Sequence, residues 1–219
     1  AITTATTRTG QQFSTTATTT RAGYTFAGWF DNAGLTGSEV TFPYTHNQTA
    51  NFTLFAKWTA NTLNVTFNTN SGSAVTSVTT RTAESLPTSF TTTRAGYTFL
   101  GWFANADFSG SAISFPYAHG RTTDFTLHAK WQANTLNVSF VTNSGTAVTA
   151  TTTRTGEQLA TSFTTTRAGY NFLGWFDNAE FSGSAITFPY THGKTANFSL
   201  YAKWDANTLT VSYNLSLIP

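Results

Sequence analysis

Apolar and polar residues alternate along several short stretches of the chain, which is the pattern of strands that bury one face. The pattern is clear in Leu63–Phe67 and Phe52–Trp58 and looser in Tyr97–Trp102, and all three are rich in residues that favour strands. The sequence Asn-Ser-Gly at 70–72 follows the first stretch and predicts a turn, with hairpin-like pairing beyond it. The segment Asp31–Gly37 mixes Asn, Ala and Gly, and its pattern leaves both a short helical turn and an irregular loop open.

The same pattern recurs along the chain at a spacing of 73 residues. The segment Arg21–Phe30 reads RAGYTFAGWF, and it returns with little change as Arg94–Phe103 and Arg167–Phe176. A Phe-Pro-Tyr triplet and an Ala-Lys-Trp triplet return at the same spacing, and no insertion or deletion breaks the register. A fixed period of this kind is typical of arrays in which each repeat is one supersecondary unit. We therefore predict a mainly β fold made of three tandem 73-residue repeats in a linear array.

Three motifs follow one another in this order: Arg-Ala-Gly-Tyr-x-Phe-x-Gly-Trp-Phe, then Phe-x-Leu-x-Ala-Lys-Trp, then Val-x-Phe-x-Thr-Asn-Ser-Gly. Only the last occurrence of the third motif is altered, because the chain ends there as Asn214–Pro219. Over the whole chain this succession resembles the Listeria-Bacteroides repeat, also called the internalin B-repeat. The resemblance implies small modules of a β-grasp-like α+β type, strung in arrays on bacterial surface proteins. The chain departs from the family pattern by having Asn-Ser-Gly in place of paired glycines and by carrying little charge.

Modules of that family begin at the Val-x-Phe strand, and this phase implies the domain boundaries. Residues 1–61 then form an incomplete first repeat that lacks its opening strand, since Ala1 aligns with Ala74 and Ala147 just past the turn. Residues 62–134 form the second repeat and 135–207 the third. Residues 208–219 are left as an orphan strand and a C-terminal tail.

The orphan strand has two interpretations. In the first, the sequence is a cut from a longer array, or its last strand belongs to the module before it. In the second, the strand completes the first repeat of another copy, which produces a head-to-tail filament by strand addition. The candidate donor residues are Leu209, Val211, Tyr213, Leu215 and Leu217.

Composition narrows the classes of protein. The 219 residues include no Cys and no Met, 9% are charged and 16% are aromatic. So many aromatic residues argue against disorder, and the lack of Cys excludes disulfides, Cys-ligated metals and a thiol nucleophile. The net charge of +2 comes from scattered residues, so we expect no nucleic-acid partner, and no apolar stretch is long enough to predict membrane insertion. An extracellular location, at the cell surface or in a secreted filament, suits this composition.

No acidic residue is retained in all three repeats. Asp31 becomes Ala104 in the second repeat, and Asp124 has no acidic counterpart in either other copy. General acid-base catalysis needs a positioned titratable group, usually with a partner. We therefore predict no catalytic residues, no cofactor and no enzymatic activity.

One histidine recurs in each repeat, as His46, His119 and His192. A metal site would need further Asp, Glu or His ligands, and the neighbouring residues supply none. We predict no metal site and expect these histidines in turns or at the surface.

Each repeat also carries two tryptophans, which either fill the core or stack on sugars. The candidates for stacking are Trp29, Trp102 and Trp175. Arg21 directly precedes the Ala-Gly-Tyr block, and Arg94 and Arg167 occupy the same position in the other repeats. All three are expected to brace the fold.

The function that these features favour is a structural one. We predict an extracellular repeat segment that acts as a stalk, spacer or filament subunit of a bacterial surface protein and associates head to tail with itself. The alternative is an adhesin module that binds a glycan or a host surface protein through its repeated aromatic residues, with avidity from repetition.

Overall fold

The computed structural model describes residues 4–14 and 16–213, and the regular elements in that part of the chain are all β-strands. The strands are β1 (Gln12–Phe13), β2 (Tyr24–Phe30), β3 (Tyr44–Thr45), β4 (Phe55–Ala60), β5 (Thr62–Asn68), β6 (Val78–Arg81), β7 (Ser85–Leu86), β8 (Tyr97–Phe103), β9 (Tyr117–Ala118), β10 (Phe125–Ala133), β11 (Thr135–Val141), β12 (Thr151–Arg154), β13 (Gln158–Leu159), β14 (Tyr170–Phe176), β15 (Tyr190–Thr191) and β16 (Phe198–Ala206). The prediction of a mainly β repeat fold is confirmed. The described residues include no helix of the length and apolarity needed to cross a membrane.

Two four-stranded sheets form the larger part of the fold. Their strand orders are β6-β5-β10-β8 and β12-β11-β16-β14. In each sheet the two inner strands run parallel, and β5 and β11 also pair antiparallel with the strand that follows them. The turn after β5 contains Asn70 and Ser71 at positive φ, as the turn chemistry of Asn-Ser-Gly predicted.

The third repeat shows how the apolar positions assemble into a core. Val138, Leu200 and Trp175 are buried at its centre, on β11, β16 and β14. Partly buried aromatic rings surround them, among them Phe140 and Trp204. Because strand residues alternate between two faces, one face of β11 supplies this core and the other carries Thr135, Asn137 and Ser139.

A β-bulge explains why the glycine-tryptophan strands alternate only loosely. The pairing of β14 with β16 shifts register between Phe172 and Gly174, and Gly174 has a φ of +118°. The extra residue, Leu173, is 47% exposed, whereas Trp175 after the bulge is buried. A bulge therefore turns the tryptophan toward the core where strict alternation would not place it.

The described residues form two compact units. One contains the residues up to 70 together with 74–92 and 101–130, and the other contains 71–73, 93–100 and those from 131 onward. Strands β1 to β7 and β9 lie in the first unit, and β11 to β16 lie in the second. These units divide the chain differently from the repeats, so the boundaries after residues 61, 134 and 207 stay predictions.

The segment Asp31–Gly37, left open by the sequence, is an irregular loop of bends and turns. Asn32 holds it together, because its side-chain amide donates to the carbonyl oxygen of Thr36 and its Oδ1 accepts the Thr36 backbone N–H. Asn178 makes the same two contacts with Ser182 in the third repeat. Side-chain hydrogen bonds of this kind replace the helical ones, which is why no helical turn forms there.

Candidate functional site

The opening strand of a repeat lies inside its four-stranded sheet. β5 pairs with β6 on one side and with β10 on the other, and β11 pairs in the same way with β12 and β16. Leu63 and Val65 of β5 are 2% and 0% exposed, and Leu136 and Val138 of β11 have the same values. A strand in this position supplies backbone hydrogen bonds on both sides as well as core side chains. The second and third repeats both depend on it.

A phenylalanine near the end of the opening strand covers the tryptophan of β8 or β14. The ring centroid of Phe67 lies 4.5 Å from that of Phe90 and 5.0 Å from that of Trp102. Phe140 has the equivalent pair of neighbours at 4.4 and 5.1 Å. Tilted and edge-to-face pairs of this kind stabilise a core beyond the area they bury. The opening strand therefore completes the aromatic core of each of these repeats.

A side-chain acceptor fixes where the opening strand sits. The backbone N–H of Asn64 donates to Oδ1 of Asp124 over 2.7 Å, and that of Asn137 donates to Oδ1 of Asn197 over 2.8 Å. The hydrogen bonds from Asn64 hold the pKa of Asp124 below its ordinary value. The corresponding residue of the first repeat is Asn51, which has the same acceptor group.

In the first repeat the two segments that correspond to the neighbours of an opening strand are present, but no strand is described between them. Residues 5–8, which correspond to β6, and residues 52–54, which correspond to the start of β10, are not in strands. The strand predicted over Phe52–Trp58 begins only at Phe55, so that part of the prediction is wrong. Residues 52–54 have no strand beside them in the described structure, whereas the same residues of β10 and β16 pair with β5 and β11. We call the two segments, residues 5–8 and 51–55, the acceptor slot.

The side chains of the acceptor slot are less buried than their counterparts. Leu54 is half-buried, whereas Leu127 and Leu200 at the same position of the other repeats are completely buried. Ala56 is likewise half-buried. The first repeat therefore exposes apolar surface along the line where the others hold an inner strand.

The three candidate tryptophans also differ in burial between the first repeat and the other two. Trp102 and Trp175 are each 2% exposed, and each donates its indole N–H to a backbone carbonyl over 2.7 Å. A buried indole has no free face for a sugar ring, so the stacking role suggested for these two residues is wrong. Trp29 makes the same indole hydrogen bond but is only half-buried. In the second and third repeats, Phe67 and Phe140 lie against Trp102 and Trp175.

The candidate donor residues within the described part of the chain are strongly exposed. Leu209, Val211 and Tyr213 are 83%, 72% and 84% exposed, and they do not lie in a strand. They occupy the repeat positions of Leu63, Val65 and Phe67. The other two candidates, Leu215 and Leu217, lie outside the described residues.

The recurring histidines are buried, and the prediction of turn or surface histidines is wrong. Nε2 of His119 lies 3.5 Å from Oγ1 of Thr80, and its Nδ1 accepts the backbone N–H of Arg121 over 3.0 Å. The ring centroid of Phe125 is 5.0 Å away. These partners satisfy both ring nitrogens, and burial of a polar group then costs little. His192 has the equivalent environment in the third repeat.

One arginine and one lysine of each repeat lie over aromatic rings. The guanidinium carbon of Arg21 lies 3.8 Å from the ring centroid of Tyr24, and the equivalent pairs in the other repeats lie at 3.7 Å. The ammonium of Lys57 lies 4.8 Å from the ring centroid of Phe30. The expected bracing role of the arginines is consistent with these cation-π contacts. The described residues contain no group of three or more His, Cys, Asp or Glu side chains arranged to hold a metal ion.

A single asparagine stands between the last strand of one predicted repeat and the opening strand of the next. Asn61 stands between β4 and β5, where its N–H donates to the carbonyl of Gly23 and its own carbonyl accepts the N–H of Thr82. Its side-chain Oδ1 accepts the Thr25 hydroxyl over 2.7 Å. Asn134 makes the same three hydrogen bonds between β10 and β11, with Gly96, Thr155 and Thr98.

Close packing accompanies these hydrogen bonds. A Cβ on Gly23 would lie 2.7 Å from Oγ1 of Thr82, and one on Gly96 would lie 2.6 Å from Oγ1 of Thr155. The asparagines were not recognised as functional from the sequence. Their signal was the recurrence of Ala-Asn-Thr-Leu at 60–63, 133–136 and 206–209, directly before each opening strand.

Comparison with known proteins places these observations in a family. The model of the Listeria-Bacteroides repeat domain matches residues 1–57, 64–130 and 137–203. A protein named as a membrane protein of Evansella cellulosilytica is 32% identical over 170 residues, which are 75% of this chain and 24% of that protein. A protein of the same organism, named as a Gly-rich membrane protein, is 29% identical over 203 residues, or 90% of this chain and 22% of its own length.

Internalin H of Listeria monocytogenes is 30% identical over 115 residues, which are 52% of this chain and 20% of that protein. The aligned segments thus span about a quarter or less of each of these relatives. The ends of the three family matches lie 73 residues apart, like the repeats, and the matches together cover most of the sequence. The chain is therefore a tandem repeat segment that belongs to the Listeria-Bacteroides repeat family of surface proteins.

Proposed function

We propose that this chain is a non-catalytic structural segment of an extracellular surface protein, in which tandem repeats act as a stalk or spacer. The observation that carries the proposal is the junction between repeats. Asn61 and Asn134 each form the whole connection between two strands, and each is held by three hydrogen bonds. A flexible linker allows two modules to reorient, whereas a one-residue connection restrained on both sides resists bending. A stalk needs that resistance.

The absence of catalysis in this proposal rests on how the polar groups are used. His119 contacts Thr80, Asp124 accepts from the strand β5, and Arg21 stacks on Tyr24. These three groups take part in packing or in strand register, which supports a non-catalytic role.

The proposal includes a filament form, in which the acceptor slot of one chain takes a strand from another. The partner in that form is a second copy of this chain, and the product is a polymer of repeats at the cell surface or in a secreted filament. Length then follows from the number of repeats and from the number of chains.

The adhesin alternative loses support from the tryptophans. Trp102 and Trp175 are buried, so these two candidates offer no open ring face to a sugar. Of the three candidates, Trp29 is the one that is half-buried. Saturable glycan binding by the chain, abolished in Trp29→Ala, would favour the adhesin over the stalk.

The stiffness of a junction is measurable by pulsed electron spin resonance. The chain has no Cys, so spin labels attach only at introduced cysteines. Ala33 and Ala106 are exposed residues at equivalent loop positions of the first and second repeats. We expect the doubly labelled A33C/A106C chain to give one narrow distance distribution. The pair A33C/T49C, inside the first repeat, provides the width expected from the labels on one rigid body.

A distribution for A33C/A106C much broader than that of the control pair would contradict the stalk. Flexible junctions would leave the repeats as independently moving domains, and the chain would then have no fixed reach. The substitution Asn61→Ala removes the acceptor of the Thr25 hydroxyl and is expected to broaden the distribution across the junction. It should leave the control distribution unchanged.

A further inference from the structure

An open groove of about 540 Å³ lies in the third repeat, where β11 ends beside β16. The residues that line it include Val141, Asn143, Arg167, Phe181, Tyr201 and Lys203. Tyr201 and Lys203 are two residues apart on β16 and therefore share a face of the strand. We infer that this groove binds an acidic saccharide, with the carboxylate on the two cations and the sugar ring on the aromatic side chains. The inference adds a ligand site to the structural role and uses none of the three candidate tryptophans.

Both cations of the groove are held in place by neutral groups. The guanidinium carbon of Arg167 lies 3.7 Å from the ring centroid of Tyr170, and its Nη1 donates to the carbonyl oxygen of Asn143 over 3.2 Å. The ammonium of Lys203 lies 5.2 Å from the ring centroid of Phe176 and 5.8 Å from that of Phe181. Arg and Lys side chains carry more N–H donors than these contacts use, so each cation has donors left for a ligand.

The carboxylates near the groove leave these cations unneutralised. The ion pair of this repeat joins Lys194 to Asp177 over 3.1 Å. Glu180 and Asp205 are adjacent in sequence to residues that line the groove, yet among the described residues neither forms an ion pair with either cation. The groove therefore keeps positive charge that the carboxylate of a ligand complements.

The other lining groups offer an apolar surface of the kind that packs against the C–H groups of a sugar ring. Val141 is 38% exposed and is the cross-strand neighbour of Tyr201, which is half-buried. Trp204 also lines the groove, and its indole N–H is held by the carbonyl oxygen of Thr142 over 2.8 Å. Aromatic and aliphatic walls with a few convergent polar groups are typical of sites for small ligands.

The edge of β16 favours a saccharide over an acidic peptide. Extended peptides commonly bind by adding backbone hydrogen bonds to an open strand edge. Here the side-chain amide of Asn143 donates to the carbonyl oxygen of Ala202 over 2.8 Å, directly beyond the last residue of β16 that pairs with β11. That carbonyl is already occupied, so side-chain contacts carry the recognition of the ligand.

One wall of the groove is rigid before a ligand arrives. Phe181 has a φ of +53°, a left-handed conformation that a bulky residue seldom adopts, and Phe108 at the same position of the second repeat has a φ of +59°. The N–H and the hydroxyl of Ser182 both donate to Oδ1 of Asn178 over 3.0 Å and fix the loop. Backbone strain of this kind clusters at ligand sites, where it pre-organises a binding surface.

Titration calorimetry of the 219-residue chain tests the inference, with a short oligogalacturonate as the probe. We expect saturable binding, and about tenfold weaker binding of the same oligosaccharide after methyl esterification, which removes the charge and keeps the sugar rings. Lys203→Gln should weaken binding about tenfold, because it removes one of the two charges that face the carboxylate.

Two control variants separate this groove from other surfaces. Lys194→Gln removes the same charge from the same repeat, but Lys194 pairs with Asp177 and does not line the groove, so binding should stay unchanged. Trp29→Ala should also bind like the unmodified chain, because Trp29 is in the first repeat. If Lys203→Gln disturbs the fold, amide chemical shifts of the unmodified chain locate the probe instead, and the largest changes are expected at Tyr201 and Lys203.

No binding, equal affinity for the methyl ester, or equal losses in Lys203→Gln and Lys194→Gln would overturn the inference. So would tighter binding of an oligoglutamate of the same charge, because the ligand would then be an acidic peptide. Loss of binding in Trp29→Ala would move the site to the first repeat and contradict the groove. None of these results alters the distance distribution across Asn61, so failure of the groove is distinguishable from failure of the stalk.

Discussion

A single histidine in each complete repeat is buried against a threonine and a phenylalanine ring. Burial lowers the pKa of His119 and of His192 below the ordinary value of 6.5. The charges of Arg121 and Lys194 lower these pKa values further, and hydrogen bonds to the carbonyls of Arg81 and Arg154 oppose the shift, as does Glu84 for His119. The fold thus holds both rings in the neutral form.

This environment predicts that acid weakens the second and third repeats. The unfolded chain, with the higher histidine pKa, binds more protons than the folded chain near pH 6, so stability rises with pH in that range. The stabilisation is complete above the unfolded pKa and is lost as the pH falls through 6.5 toward the lower folded value. We expect the melting temperature to fall between pH 7.5 and pH 5.5, by calorimetry. His119→Asn with His192→Asn should flatten this dependence.

A melting temperature that stayed constant over this range in the unmodified chain would contradict the neutral, buried state of the rings. The range stays above the ordinary pKa of carboxyl groups, so Asp and Glu contribute little to the change.

The acidic residues that differ between repeats also have a residue-scale explanation. Asp124 and Asn197 perform the same task, since each offers a side-chain oxygen to a backbone N–H of the opening strand. Only the acceptor atom is needed there, and Asp and Asn both carry one. The loss of an acid between repeats therefore leaves the strand contact intact.

At the scale of elements, the length of one strand depends on the strand beside it. β10 and β16 each span nine residues, whereas β4 spans six and begins three residues later in the repeat. The difference lies where β10 and β16 pair with an opening strand. Strand length in this fold is thus set by the neighbouring strand as much as by the sequence of the strand itself.

The two leucines at the same position of β16 and of the acceptor slot should respond differently to truncation. Leu200 is completely buried, so Leu200→Ala is expected to cost about 2–5 kcal/mol of the third repeat's free energy of unfolding. Leu54 is half-buried, and Leu54→Ala should cost about 1 kcal/mol in the first repeat. Hydrogen exchange of the amides in β16 and β4 reports the two repeats separately. Equal losses would mean that Leu54 is covered, and the open slot would not exist.

The sequence predicted the strands and turns better than the contacts that they make with other segments. The opening strand, the turn at Asn70 and the 73-residue period follow from local alternation and turn chemistry, and the structure contains all of them. The late start of β4 and the burial of His119 depend on neighbouring segments, which local pattern does not describe. Of the candidate site residues, Leu209, Val211 and Tyr213 are exposed, and their role as strand donors stays a prediction. The stacking role does not suit Trp175, because a bulge directs this residue into the core.

For the whole molecule, the junctions decide whether three repeats act as one structure. Gly96 and Gly169 occupy the same repeat position and have φ values of +77° and +78°. A Cβ on Gly96 would meet Thr155 and Thr195 within 3.0 Å, whereas one on Gly169 would meet nothing within 4 Å. A comparison of substitutions at these two glycines therefore separates the free-energy cost of lost packing from the cost of the backbone conformation.

Alanine substitutions at this pair measure how much the packing at the junction contributes to stability. Gly169→Ala should cost only the left-handed backbone penalty, about 1 kcal/mol, and Gly96→Ala should cost more because the methyl group displaces Thr155. Thermal unfolding of the two variants compares the costs. If the variants unfold alike, the contact between Gly96 and Thr155 contributes nothing to holding consecutive repeats together.

The central claim, that one-residue junctions hold consecutive repeats in a fixed arrangement, is tested most directly by the distance distribution between spin labels in the A33C/A106C chain. The account predicts one distribution about as narrow as that of the control pair A33C/T49C, because Asn61 is held by three hydrogen bonds. A distribution much broader than that of the control pair would contradict the account.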